Sequence, residues 1–221
     1  MSIQSGAHVM RKSDPIAVQL ADARKNQILD AATQVFADRG FHAATIKDIA
    51  QQAGVADGTI YLYFKTKADL FVGILDRLNE TERRAVDLSA AVPTEADFRE
   101  FFATYMRKRL SLLEENLRTF QAVIPELLQN RELRERYLTE ILEPSFRIAV
   151  PLIGKRLQPA LKRKVSVELA VRTIPSMVLG MLILRMLGDP TVEKSWAELP
   201  DLLTTMLFDG FWSQSQRGKK K

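Results

Sequence analysis

Apolar residues recur at helical spacing along most of the chain, and no segment alternates in the manner of a half-buried strand. In the first such segment Ile28, Ala32, Val35 and Phe36 fall on one stripe, which Gly40 ends. The pattern therefore predicts an all-α protein of about nine helices. The longer ones cover residues 22–39, 67–85, 95–116, 132–157, 166–187 and 197–213.

The stretch that begins at Thr45 predicts two short helices around a tight turn. Thr45 suits an N-cap, and Asp48 three residues later forms an aspartate version of the capping box. Gly54 suits the left-handed residue that ends a helix. Ile60 and Phe64 mark the inner face of the second helix. Two helices joined in this way form a helix-turn-helix.

The outer face of the second short helix carries small, hydroxylated and aromatic side chains: Asp57, Gly58, Thr59, Tyr61, Leu62 and Tyr63. Such side chains suit phosphate oxygens, sugars and thymine methyl groups. From the pattern alone, an ordinary helical hairpin with its tyrosines in the core is equally consistent. Asp57 has two equal interpretations, since it could accept a hydrogen bond from cytosine N4 or simply favour the helix N-terminus.

The segment from Arg24 to Asp76 resembles the DNA-binding domain of the tetracycline-repressor (TetR) family. The resemblance rests on elements in a fixed order that include Thr45-Ile46, Ala53-Gly54-Val55, Gly58-Thr59-Ile60-Tyr61, Tyr63-Phe64 and Lys67. It implies an N-terminal three-helix domain with a helix-turn-helix at about 45–64, followed by a larger helical ligand-binding and dimerisation domain. The family usually has a serine where this chain has Ala56, so we expect no side-chain hydrogen bond there.

We expect the first domain to bind double-stranded DNA. Phosphate contacts are predicted for Thr45, Thr59, Tyr63 and Lys67, and base-edge contacts for Asp57, Gly58, Tyr61 and Leu62; Lys47 and Ala56 complete the predicted interface. Overall charge adds little to this prediction. Although the net charge is +5, residues 1–90 hold 11 Lys or Arg and 11 Asp or Glu.

The resemblance also implies how the chain is divided. Residues 1–20 are predicted to be disordered, 21–68 to form the DNA-binding domain, 69–215 the ligand-binding and dimerisation domain, and 216–221 a basic tail. Two apolar helices, 166–187 and 197–213, correspond to the usual homodimer interface of the family. The uncharged run 173–184 is too short to span a bilayer, so we expect no membrane contact.

Members of the family enclose an effector in the second domain. The candidate pocket residues here are mainly aromatic: Phe98, Phe102, Tyr105, Phe120, Tyr137, Phe146 and Arg172. They favour an apolar or aromatic ligand, although such residues at helical spacing are usually core. Arg172 would suit an anionic ligand such as a fatty acyl thioester, or a carboxylate of the protein. The segment 54–64 is especially similar to fatty-acid-metabolism repressors of the family.

Other features narrow the function. The chain has no cysteine, which excludes disulfides and fits a reducing cytosol. It has two histidines. The first residues lack the apolar run of a signal peptide. Metalloprotease, phosphate-loop and nucleophile-elbow motifs are absent, so we predict no catalytic residue, metal or cofactor. The resemblance implies a homodimeric repressor that a ligand releases from a near-palindromic operator. The alternatives are a ligand-independent regulator and, less consistent with these absences, an enzyme that processes a small molecule.

Overall fold

A computed structural model describes residues 15–89, 95–157 and 166–216, and within these ranges all regular elements are helical. The prediction of an all-α fold is confirmed. In chain order the elements are α1 Pro15–Ala43, α2 Ile46–Ala53, α3 Asp57–Tyr63, α4 Lys67–Ser89, α5 Glu95–Glu115, α6 Leu117–Gln129, α7 Arg131–Arg136, a π-helical turn Tyr137–Leu142, α8 Glu143–Leu157, α9 Val167–Met186, α10 Pro190–Lys194, a 3-10 turn Trp196–Glu198 and α11 Leu199–Gln216.

Local capping chemistry fixes the short helices. The Thr45 hydroxyl accepts a hydrogen bond from the Asp48 N–H at 3.1 Å, and the Asp48 carboxylate accepts one from the Thr45 N–H at 3.0 Å. These bonds satisfy amide groups that the first turn of α2 leaves without partners. Hydrogen bonds that the Asp48 carboxylate accepts from the Thr45 hydroxyl and from the Thr45 N–H hold the pKa of Asp48 below its ordinary value. Gly54, with φ of 64°, ends α2, and Gly40, with φ of 74°, interrupts α1.

Helix α1 begins at Pro15, earlier than the predicted start at residue 22. The prediction of disorder is therefore wrong for residues 15–20, while residues 1–14 lie outside the described residues. A proline fits this position because the first turn of a helix does not need its amide hydrogen. Residues 15–27 are exposed, so the extension makes no core contact that could have revealed it.

Helix α4 connects the two parts of the chain. Its first half carries Leu70, Phe71 and Ile74, which are at most 1% exposed and belong to the same core as Ile28 and Ile60. Further along, α4 packs against α5 and α8. A change in the second part of the chain can therefore reach the helix-turn-helix through α4.

The segment 132–157, predicted as a helix that Pro144 and Pro151 bend or split, is interrupted near Pro144. A π-helical turn ends at Leu142, two residues before Pro144. Proline supplies no amide hydrogen, and a wider turn rearranges the bonding at such a site. Pro151 lies within α8 without ending it. The break predicted around Asp189 contains an additional short helix, which Asp189 caps by accepting from the Val192 N–H at 3.0 Å.

Helix α9 is unusually apolar for its position. Among the described residues it alone is long and apolar enough to cross a membrane, with a mean hydropathy of 1.7 over 18 residues. Only 17% of that window is buried. One side packs against α8. The other side, with part of α11, exposes the large apolar side chains Leu169, Leu179, Ile183, Leu184, Leu187, Leu202 and Met206.

Candidate DNA-binding surface and ligand cavity

Helix α3 has one buried and one exposed face. Ile60 is 0% exposed and anchors the helix to the core. On the opposite side Leu62 is 82% exposed and Tyr61 is 54% exposed. Asp57 and Gly58 are also exposed at the start of the helix. Large apolar side chains held in solvent on a seven-residue helix indicate a surface that another molecule covers.

Neighbouring helices fix the orientation of α3. The Gln27 side-chain amide donates to the Ala53 carbonyl oxygen at 2.7 Å, which ties α1 to the end of α2. Ala56 is the N-cap of α3 and makes no side-chain capping bond, as expected from its lack of a hydroxyl. The first turn closes through the Thr59 N–H, which donates to the Ala56 carbonyl at 2.8 Å.

The remaining predicted DNA-binding residues differ in how accessible their side chains are to another molecule. Lys47 is fully on the surface. Thr45 is exposed, but its hydroxyl donates to Asp48 at 2.7 Å and so serves mainly as a cap. Thr59 and Tyr63 are half-buried, and Tyr63 packs against the core. Tyr61 and Leu62 are therefore the more accessible large side chains of α3.

The Lys67 ammonium has a role that the sequence did not predict. It donates to the carbonyl oxygens of Ala44 at 2.9 Å, His42 at 3.1 Å and Phe41, and lies 4.6 Å from the centre of the Phe41 ring. Burial lowers the pKa of Lys67, against an opposite effect of Glu126. With three donors bonded within the chain, Lys67 caps the end of α1, and we withdraw the expectation of a phosphate contact.

Polar and charged side chains join the end of α1 and the start of α4 to the helices that follow. Arg136 contacts Asp69 at 2.9 Å and Glu140 at 2.7 Å, and His42 lies 3.1 Å from Glu126. Burial by itself raises the pKa of Asp69, but hydrogen bonds from Thr66 and Arg136 outweigh it and lower that pKa. These contacts connect the start of α4 to α7 and the end of α1 to α6.

A cavity lies between α5, α8 and α9, with a volume of about 740 Å³ that includes its mouth. Four predicted pocket residues, Phe98, Phe102, Tyr105 and Phe146, line it. The rest of the wall is mostly apolar and includes Met106, Ala149, Ile153, Val171, Ile174 and Val178. Its apolar lining suits an apolar molecule or the apolar part of a larger one.

Three other predicted pocket residues lie elsewhere. Phe120 is buried in the core on α6, and Tyr137 is half-buried at the π-helical turn. Neither is among the described residues that line the cavity. Arg172 stacks 4.3 Å from the centre of the Phe146 ring and donates to the Glu168 carbonyl at 2.8 Å. Its aromatic partner lies in the cavity wall, but its own guanidinium does not.

Arg185, the second arginine of α9, pairs within the protein. Its guanidinium lies 2.6 Å from the Glu114 carboxylate and 4.4 Å from the centre of the Trp196 ring. These contacts provide an internal partner for the charge on the otherwise apolar α9. The carboxylate partner of Arg185 thus comes from α5.

Arg109 is the cavity residue that sequence reasoning missed. It is 8% exposed, lines the cavity, and donates from Nη1 to the Leu78 carbonyl at 2.8 Å. A sequence signal existed, since Arg109 follows Met106 by three residues and precedes Leu113 by four. That spacing places a charged residue on the apolar face of α5.

Among the described residues, no group of three His, Cys, Asp or Glu could hold a metal ion.

Comparison with known proteins places these features in context. Residues 28–74 match the family model described as bacterial regulatory proteins, tetR family. The fatty acid metabolism regulator protein of Bacillus subtilis is 33% identical over 162 residues, which cover 71% of this chain and 78% of that protein. The HTH-type transcriptional repressor KstR2 of Mycobacterium tuberculosis is 37% identical over 81 residues, covering 35% of this chain and 40% of the repressor.

A solved structure is similar over most of the chain. The transcriptional regulator FadR from Bacillus subtilis, in complex with stearoyl-CoA, matches with a TM-score of 0.60 and 30% identity. The match covers 82% of this chain and 96% of that one. The likeness therefore includes the second domain as well as the helix-turn-helix.

Proposed function

This chain belongs to the TetR family of bacterial transcriptional regulators, and from that premise we propose that it is a homodimeric cytoplasmic repressor released from its operator by an apolar effector with an acyl chain. The outer face of α3 would enter the major groove, with Tyr61, Leu62, Asp57 and Gly58 toward base edges. The observation that carries the DNA-binding proposal is the separation of a buried Ile60 from an 82% exposed Leu62 on one short helix.

Dimerisation follows from the surface of α9 and α11. Leu179, Leu184 and Leu202 are 40–50% exposed on helices whose other sides contribute residues such as Val178 and Leu203 to the core. Burying this surface against a second copy would remove apolar area from water and place two α3 helices on one duplex. One short recognition helix contacts few bases, so pairing also increases specificity. We propose that a second copy of the chain, rather than a membrane, covers the exposed side of α9.

The effector site would be the cavity between α5, α8 and α9. Its apolar lining suits the hydrocarbon part of an acyl compound, and the relative FadR binds stearoyl-CoA. A ligand changes the operator affinity only if it prefers one arrangement of the two DNA-binding domains. Helix α4 contacts both the second domain and the helix-turn-helix core, which makes it the element that would carry this preference.

A matched pair of substitutions tests the DNA-binding surface. Leu62→Ala should weaken operator binding by about tenfold or more, because it removes a side chain proposed to contact bases. Leu128→Ala, at a position on α6 that is 69% exposed, should leave binding unchanged. Fluorescence anisotropy with operator DNA selected from a random pool measures both. Equal affinity of the two variants would contradict the proposed surface.

The ligand proposal has its own test. Palmitoyl-CoA, kept below its micelle-forming concentration, should dissociate the wild-type protein from the same operator DNA. If no acyl compound changes DNA binding, a ligand-independent regulator becomes the better description.

A further inference from the structure

The cavity wall is apolar except at a few points, and one of these carries a permanent charge. Among the described residues that line the cavity, Arg109 is the charged one. Ser145 also lines it, but its hydroxyl donates to the Ile141 carbonyl at 2.8 Å. A guanidinium stays protonated under all ordinary conditions. Its planar fork matches the oxygen atoms of a carboxylate or an ester-like carbonyl.

Arg109 is also connected to α4. Its Nη1 donates to the Leu78 carbonyl at 2.8 Å, and Leu78 is 4% exposed in the core of α4. The guanidinium therefore lies between the cavity and the helix that leads to the DNA-binding domain. A ligand oxygen that engages Arg109 would act on a side chain already bonded to α4.

We propose that Arg109 binds the oxygen-bearing head of the effector, so that the cavity selects a long apolar chain that ends in a carboxylate or acyl carbonyl. The inference rests on the proposed function, since it concerns the same cavity. Phe98, Phe102 and Phe146 would hold the hydrocarbon chain, and Arg109 would fix its polar end beside α4. A wholly apolar ligand would fill the cavity without engaging this residue.

Two fluorescent probes separate recognition of the head from recognition of the chain. The probe cis-parinaric acid is a fatty acid with a carboxylate, whereas N-phenyl-1-naphthylamine is apolar and lacks any acyl oxygen. Arg109→Gln keeps a polar side chain but removes the charge. It should weaken cis-parinaric acid binding at least tenfold, because a hydrogen bond to a charged group is lost. Binding of N-phenyl-1-naphthylamine should change less than twofold.

Two further variants distinguish recognition from a structural role. Arg109→Lys restores a cation but not the planar fork, so it should recover part of the affinity for cis-parinaric acid. Arg107→Gln is the matched control, since Arg107 is exposed on the same helix and pairs with Asp201 at 3.4 Å. It should bind both probes like the wild type. An equal loss for both probes in Arg109→Gln, or no recovery in Arg109→Lys, would overturn the inference.

Competition identifies the source of the acyl head. Palmitate and palmitoyl-CoA, each below its micelle-forming concentration, compete with bound cis-parinaric acid. A lower competing concentration of palmitoyl-CoA indicates a thioester effector, and the reverse order indicates the free acid. Either order supports recognition of an acyl oxygen, whereas failure of both competitors would contradict it.

A parallel DNA-release measurement tells this inference apart from the proposed function. Suppose that neither palmitate nor palmitoyl-CoA releases the wild-type protein from DNA. If Arg109→Gln still weakens binding of cis-parinaric acid but not of N-phenyl-1-naphthylamine, only the repressor mechanism fails. Suppose that palmitoyl-CoA releases Arg109→Gln from DNA as readily as the wild type. If Arg109→Gln also binds cis-parinaric acid and N-phenyl-1-naphthylamine with the affinities of the wild type, only the role of Arg109 fails.

Discussion

Gly58 offers a test in which stability and DNA affinity should change in opposite directions. It occupies the second position of α3, where a Cβ atom would meet nothing within 4 Å. The backbone there is helical, so alanine fits without strain. Glycine in a helix is less favourable than alanine by roughly 0.5–1 kcal/mol. Near the helix end we expect Gly58→Ala to stabilise the protein by about 0.5 kcal/mol.

The same methyl group should weaken DNA binding. If Gly58 faces base edges, the open space around it is where the duplex approaches the backbone. A disturbed base contact weakens specific binding by about 1–3 kcal/mol, so the operator Kd should rise by about 5- to 150-fold. Urea denaturation measures the stability, and fluorescence anisotropy on the selected operator measures the Kd.

Ser111→Ala provides the control for helix propensity. Ser111 is exposed on α5 and bonds only weakly to Glu115, at 3.3 Å. Alanine there should raise helix stability by a few tenths of a kcal/mol without affecting the operator Kd. If Gly58→Ala gained stability and bound DNA as tightly as the wild type, the assignment of this face of α3 to the major groove would be refuted.

Three other outcomes are expected. Lys67→Met should lower the free energy of unfolding by about 2 kcal/mol, because three carbonyl oxygens lose a charged donor. Lys47→Met should instead leave stability unchanged and reduce the slope of log binding constant against log salt concentration by about one unit. Urea titrations measure the stability, and anisotropy at several salt concentrations measures the slope. A destabilised Lys47→Met protein with an unchanged slope would contradict this assignment. Thr45→Ala should destabilise by about 1 kcal/mol at neutral pH. The Thr45 hydroxyl also donates to the Asp48 carboxylate and lowers the pKa of Asp48, so this part of the stabilisation is present above the unfolded-state pKa and is lost as the pH falls through the lower folded-state pKa. Chemical denaturation at pH 7 and pH 3 should show the difference between Thr45→Ala and wild type narrowing, and a constant difference would count against the capping account. Leu179→Glu on α9 should yield monomers in sedimentation-velocity runs while Leu128→Glu does not; a dimeric Leu179→Glu protein would argue against the proposed interface.

Features that depend on near neighbours in sequence could be predicted well. The capping of α2 by Thr45 and Asp48 and the left-handed Gly54 each involve residues within a few positions of one another. The chemistry that creates them is therefore visible in the sequence itself. The all-α class followed in the same way from the spacing of apolar residues.

Features that depend on distant contacts could not be predicted. The side chain of Lys67 reaches carbonyl groups 23–26 residues earlier, and Arg109 reaches one 31 residues earlier. No local pattern specifies such partners. For the same reason four of the proposed aromatic pocket residues line the cavity whereas Phe120 and Tyr137 do not. Helical spacing identifies a buried face but not whether that face meets a cavity or another side chain.

The central claim is that two copies of α3 read adjacent turns of one duplex. Selection of bound fragments from random DNA, followed by sequencing, tests this directly. For the proposed dimer we expect an enriched inverted repeat whose half-site centres are separated by about 10 base pairs or a multiple of that distance. Enrichment of a single asymmetric site, or of no sequence, would contradict it.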